Sequence, residues 1–166
     1  LLDLGLATLM SPGNIPGLAN LNESEFIFLT TKEDAKTIRR SKLYSKLADT
    51  ISIKWKYLEF YNGTRQEKFD QLTYALNVGL GEVVGKGYCL FLHPDGIYSD
   101  GMMTRLYQLA LEGKKVVISI GPNVTEETVI PYMEERNLLG NDSEVSIPPR
   151  NMAKILIDNL HPDMTN

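Results

Sequence analysis

The sequence predicts an α/β domain built on a mostly parallel sheet, and three observations carry that prediction. Short apolar runs of strand length alternate with longer stretches of helical period. The linkers between them are short and rich in Gly, Pro, Asn and Ser. One run, Tyr88 to Leu92, is continuously apolar, as a central parallel strand covered on both faces is.

Taken in order, Leu4 to Met10 reads as a first short strand, stopped by the turn residues Ser11-Pro12-Gly13-Asn14. Glu25 to Leu29 is a second, ending at Thr30-Thr31. Thr31 and Asp34 have the spacing of a helix-opening box. The helix that follows places Ala35, Ile38, Leu43 and Leu47 near one face and leaves Arg39, Arg40, Lys42 and Lys46 to water. Ile51 to Tyr57 alternates with period two, as a strand with one polar face does, and Asn62-Gly63 marks the turn after it.

From Gln66 to about Val84 the helical period returns, with Phe69, Leu72, Leu76 and Leu80 on one stripe. Tyr88–Leu92 ends in His93-Pro94-Asp95-Gly96, and Ser99-Asp100-Gly101 opens a helix closed by Gly113. Lys115–Ile120 is the last expected strand. Thr125 caps a helix to about Asn137, which Gly140-Asn141-Asp142 ends, and Pro148-Pro149 opens a final helix over Arg150–Leu160. The resulting order β, βα, βα, βα, βα, α calls for right-handed crossovers and about five strands.

Composition bounds the function. A chain of 166 residues, 43% apolar and 23% charged, predicts one globular domain over 1–166 with its own core. A net charge of -4 with no basic stripe gives no footprint for nucleic acid. Cys89 is the only cysteine, so no disulfide framework or thiolate metal site is available, and its apolar run predicts a buried thiol. The opening LLDLGLATLM is too short for a membrane span and lacks the basic flank of a leader, so the expectation is a cytoplasmic protein without a membrane span. The four Asn-x-Ser/Thr sequons, at Asn22, Asn62, Asn123 and Asn141, then read as chance matches.

In open α/β sheets ligands bind outside the carboxyl ends of the strands. That rule selects Ser11, Gly13 and Asn14, Thr30 and Thr31, His93 and Asp95, and Gly121 and Asn123. There is no Walker loop and no GxGxxG, which excludes the standard phosphate cradles. A strand-end carboxylate at Asp95, with a second at Asp100, suits a hard divalent cation that bridges phosphates. The competing reading has Asp95 in a turn and Asp100 or Ser99 as a helix cap. His93 is either a metal ligand or base, or a side chain held by ordinary hydrogen bonds.

Several segments, in order, resemble nucleotide-diphospho-sugar transferases of the GT-A type. They are Met10-Ser11-Pro12-Gly13-Asn14-Ile15-Pro16, Phe28-Leu29-Thr30-Thr31-Lys32-Glu33-Asp34-Ala35, the run Leu90–Gly101 with Glu112-Gly113-Lys114, and His161-Pro162. The resemblance implies a Rossmann-like three-layer sandwich and a nucleotide-sugar donor, with Mn²⁺ or Mg²⁺ as cofactor. Carried over, Ser11, Gly13, Asn14, Thr30 and Thr31 lie near the nucleotide, Asp95 takes the place of the last aspartate of a DxD motif, and His93 replaces the first as the other metal candidate. The acceptor is unknown. The chain ends at Asn166, so the resemblance implies the donor-binding half alone.

Lys68, Arg39 and Arg40 are candidate diphosphate partners, with solvated surface charge as the plainer role. Two other readings stand beside this one. Asp95–Gly101 followed by Ala110–Lys114 also resembles nucleoside deoxyribosyltransferases, without a counterpart of their catalytic glutamate. The chain also reads as a non-catalytic α/β interaction module, expected to form a homodimer through an uncovered face.

Overall fold

The structure is a computed structural model that describes residues 2–59, 65–85, 87–119, 121–136, 138 and 144–164. Among them are α1 (Leu2–Leu9), β1 (Glu25–Thr30), α2 (Lys32–Ile38), α3 (Lys42–Thr50), β2 (Ser52–Tyr57), α4 (Arg65–Val83), α5 (Met102–Leu111), α6 (Glu126–Glu135) and α7 (Pro149–Asp158). The chain forms two compact units, Leu1–Ala19 together with Pro94–Asn166, and Asn20–His93.

The Asn20–His93 unit holds the only sheet among the described residues, β1 paired in parallel with β2 from Glu25↔Ser52 to Thr30↔Tyr57. Alternation sorts the strands into two faces. Phe26, Phe28, Ile53, Trp55 and Tyr57 share one, and Phe28 stacks on Trp55 at 4.5 Å between ring centroids, with Tyr44 of α3 tilted against both. Ile27, Leu29, Lys54 and Lys56 share the other. Here Glu82 of α4 accepts from Lys54 at 2.6 Å and pairs with Lys56 at 2.7 Å.

The crossover between the strands is two helices rather than the expected one. Thr31 caps α2 by accepting from the Asp34 amide, and Ser41 caps α3 by accepting from Leu43. Ala35, Ile38, Leu43 and Leu47 are nonetheless all buried, as their spacing predicts. On α4 the buried positions are Ala75 and Gly79, one turn apart, whereas Phe69, Leu72 and Leu80 are exposed. Small residues win this face because α4 lies against β1. A Cβ on Gly79 would come within 3.0 Å of Leu29 Cδ1.

The expected sandwich of about five mostly parallel strands is not what forms, since among the described residues the sheet has two strands and seven α-helices dominate. Leu4–Met10, expected as a strand, lies in α1 and the turn after it. Its Leu, Ala and Met residues are strong helix formers, and an element buried all round shows no period that would separate helix from strand. Tyr88–Leu92 and the described part of Lys115–Ile120 join no ladder. Most of their side chains are exposed, Val116 at 77% and Ile118 at 82%, with Leu92 half-buried, and Cys89 is exposed rather than buried. An apolar run becomes a strand only where a partner edge meets it, and that pairing is non-local. The turn at Asn62-Gly63, the last residue of Lys115–Ile120 and the helix end at Gly140–Asp142 lie outside the described residues.

The other unit packs α1, α5, α6 and α7 with extended segments between them. Its core includes Leu6, Ile15, Met133, Ile147 and Ile155. Gly113 ends α5 at φ +83, and Pro149 starts α7, as the sequence predicts. Val124 and Leu160 form an isolated antiparallel bridge.

Candidate functional site

The turn 11–14 and the start of α5 are held together by an unusually buried polar knot. Thr8, Ser11 and Asn14 are all fully buried. A buried amide must spend its donors and acceptor inside the protein, and Asn14 does so. Its Nδ2 donates to the Thr8 carbonyl at 2.9 Å, the Ser11 hydroxyl at 3.0 Å and the Ser99 carbonyl at 3.0 Å. Its Oδ1 accepts from the Met103 amide at 3.0 Å, at the beginning of α5.

Asp100 completes the knot. Its Oδ1 accepts from Ser11 Oγ at 2.9 Å and from the Gly13 amide at 2.7 Å, and its Oδ2 accepts from Ser146 Oγ at 2.9 Å. Desolvation pushes its pKa up, but the bonds from Ser11, Gly13, Ser146 and the Gly101 amide outweigh it, so the carboxyl sits below its ordinary value. Gly13 has no alternative here, because a Cβ would lie 2.7 Å from Asp100 Oδ1. Gly101 serves the same junction with its left-handed φ of +81, which starts α5.

The segment between, Pro94–Ser99, is pinned at Tyr98, whose amide donates to Thr8 Oγ1 at 3.2 Å. Asp95 lies on this pinned segment, is exposed, and has no hydrogen bond or ion pair among the described residues. The two carboxylates that the sequence places five residues apart therefore differ in kind. Asp100 is consumed by the fold, while Asp95 is available.

The remaining candidates are placed as follows. Ser11, Gly13, Asn14 and Asp95 belong to the first unit, with the first three spent on the knot. Thr30, Thr31 and His93 belong to the second. The Thr31 hydroxyl accepts from the Asp34 amide and donates to Asp34 Oδ2 at 2.8 Å, so it works within the cap of α2. The Thr30 carbonyl accepts from Leu58 at 2.9 Å. His93 is exposed. Asn123 accepts at its carbonyl from the His161 amide at 2.9 Å, which ties Val124 and Leu160 together.

Among the described residues no three His, Cys, Asp or Glu gather into a metal-ligating group. The Asp95 carboxylate is the hard oxygen donor that Mg²⁺ or Mn²⁺ takes, and such ions commonly use one or two carboxylates together with substrate phosphates. A single accessible carboxylate fits that use and does not fit a closed, all-protein cage.

Sequence reasoning missed the roles of Asn14 and Asp100 as buried hubs and the pairing of Arg39 with Trp55 and Tyr57. The bonds that join residues 11–14 to residues 99–103 span 85 to 89 positions, beyond the reach of any local pattern.

No family model, no curated protein and no solved structure matches this chain. No described helix is long and apolar enough to cross a membrane.

Proposed function

We propose that this chain binds a nucleotide-diphospho-sugar and takes part in transfer of the sugar to an acceptor hydroxyl, with Asp95 as the carboxylate presented to the donor. The observation that carries the reading is the division of labour between Asp95 and Asp100. The knot anchors the Pro94–Asp100 segment at Tyr98 and Asp100 and leaves one exposed, uncommitted carboxylate on it.

In such a transfer the acceptor oxygen forms a bond to the anomeric carbon as the bond to the diphosphate oxygen breaks, and the acceptor proton passes to a base. Negative charge grows on the leaving diphosphate. A divalent ion held by Asp95 would neutralise that charge. Asp95 itself would orient the donor, and the rigid knot would keep the carboxylate from swinging away. A cytoplasmic setting belongs to the same reading, and the exposed Cys89 thiol suits a reducing compartment.

Thermal unfolding with UDP, GDP, CDP, dTDP and ADP, each with and without Mn²⁺, tests the proposal. A nucleotide at one hundred times its Kd adds about 2.7 kcal/mol. The expected result is a metal-dependent rise with one nucleotide that Asp95→Ala removes, while the ligand-free melting temperature of that variant stays at the wild-type value. No rise with any nucleotide would overturn it.

The exposed apolar run at Val116 and Ile118 favours the non-catalytic interaction module as a second reading. Sedimentation that depends on protein concentration, abolished by Ile118→Lys, would support it.

A further inference from the structure

We infer that Arg39 and Tyr57 form a receptor for a phosphate oxyanion at the carboxyl end of the β1–β2 ladder. The inference takes up Arg39, which the sequence offers as a candidate diphosphate partner, and it does not depend on Asp95 or on sugar transfer.

Arg39 is exposed, yet its guanidinium is held in place. Its carbon lies 4.4 Å from the centroid of the Trp55 ring, and Nη2 donates to the Tyr57 hydroxyl at 2.8 Å. Trp55 in turn is fixed by Phe28, which stacks on it. A guanidinium over an aromatic face gains cation–π attraction and loses side-chain freedom before any ligand arrives.

This organised cation has no carboxylate partner among the described residues. Arg105 is paired with Glu112 at 3.2 Å and Arg136 with Glu135 at 2.8 Å, so the arrangement of Arg136 over Tyr132 ends in a neutralised pair. Arg39 has a comparable aromatic seat and keeps its charge and most of its five N–H donors unspent. The Tyr57 hydroxyl accepts from Arg39, so its own proton remains free to donate. Two kinds of donor therefore converge at one point.

The position is also the one at which parallel strands bind ligands. Tyr57 is the last residue of β2, opposite Thr30, the last of β1. A fork of parallel N–H groups with an adjacent O–H matches the tetrahedral oxyanion geometry of a phosphate and accepts it bidentately. The source is either the diphosphate of a nucleotide or free pyrophosphate.

Trp55 is the only tryptophan in the chain, so its emission reports on this site. The experiment titrates inorganic pyrophosphate, UDP and uridine into the protein at low salt, following Trp55 emission and, in parallel, calorimetric heat. The expected result is saturable binding of pyrophosphate and UDP, no response to uridine, and loss of binding in about 0.5 M salt. Arg39→Ala should abolish binding, and Arg39→Lys should weaken it about tenfold because the fork is lost. Tyr57→Phe should weaken it about fivefold. Circular dichroism of Arg39→Lys confirms that the fold persists.

A response to UDP but not to pyrophosphate supports the site and assigns the nucleotide as its source. Uridine binding as well as UDP, undiminished affinity in Arg39→Ala, or neither heat nor emission change with any phosphate would overturn the inference. Asp95→Ala should bind pyrophosphate like the wild type, so failure of the transferase reading and failure of this one are distinguished.

Discussion

In one unit the turn 11–14 is joined to the start of α5 by hydrogen bonds converging on Asn14 and Asp100, whereas in the other β1 and β2 are joined by stacked rings on one face and by Lys54, Glu82 and Lys56 on the opposite one. Both arrangements hold segments distant in sequence, but they fail differently. A buried polar knot is worth little beyond water when complete and costs heavily when one member is removed, because the partners are left buried and unsatisfied. An aromatic stack loses contact area and leaves a cavity. The knot also carries an ionised group whose charge it needs, and the stack does not.

The largest effect should come from breaking the knot at its centre. Asn14→Ala strands the Met103 amide and removes the bonds to Thr8, Ser11 and Ser99, a loss of about 4 kcal/mol in urea unfolding. Phe28→Ala attacks the stack instead. Phe28 is buried against Trp55 and Tyr44, and its truncation should cost about 3 kcal/mol, with a change in Trp55 emission that Asn14→Ala does not produce directly. Equal costs, or a larger one for Phe28, would remove the distinction drawn between the two units.

The smallest of the three sharpens it. Asp100→Asn replaces a carboxylate that accepts from four donors, at a cost of about 2 kcal/mol at neutral pH. Because the folded pKa lies below the ordinary 3.8, the contribution of Asp100 is present above that value and is lost as pH falls through the folded one. Glu82 shares this direction, drawn down to about 2 by the hydrogen bonds from Lys54 and Lys56. Acid unfolding of the wild type should therefore have a component that Asp100→Asn removes and a second, from Glu82, that it leaves. An identical acid profile in the variant would deny Asp100 its ionised role.

Legibility from sequence followed the range of the interaction. The cap at Thr31, the paired Ala35/Ile38 and Leu43/Leu47 faces, the alternation of β2, the stop at Gly113 and the start at Pro149 all depend on residues within a few positions of one another, and each was readable. Leu4–Met10 was not, since a run buried on every side satisfies helix and strand templates alike. Nor was the stripe of α4, where close approach to Leu29 selected Ala75 and Gly79 over the larger Phe69 and Leu80. At the site, the sequence placed Asp95 and Asp100 on one segment and left their roles open. Ser11 and Gly13 of one turn, with Ser146 from a distant stretch, made Asp100 the structural one.

Sequence by itself thus determined local conformation: the cap at Thr31, the stop at Gly113 and the start at Pro149, which residues of α2 and α3 turn inward, and that the runs Glu25–Leu29 and Ile51–Tyr57 hold the two paired strands. Only the tertiary structure decided that two of the apolar runs pair while Tyr88–Leu92 and the described part of Lys115–Ile120 do not, that Asp95 stays open, and that Arg39 sits unneutralised over Trp55. Capping and periodicity act over a turn or two of chain, whereas ladder pairing, burial of a carboxylate and neutralisation of a guanidinium depend on what arrives from tens of residues away.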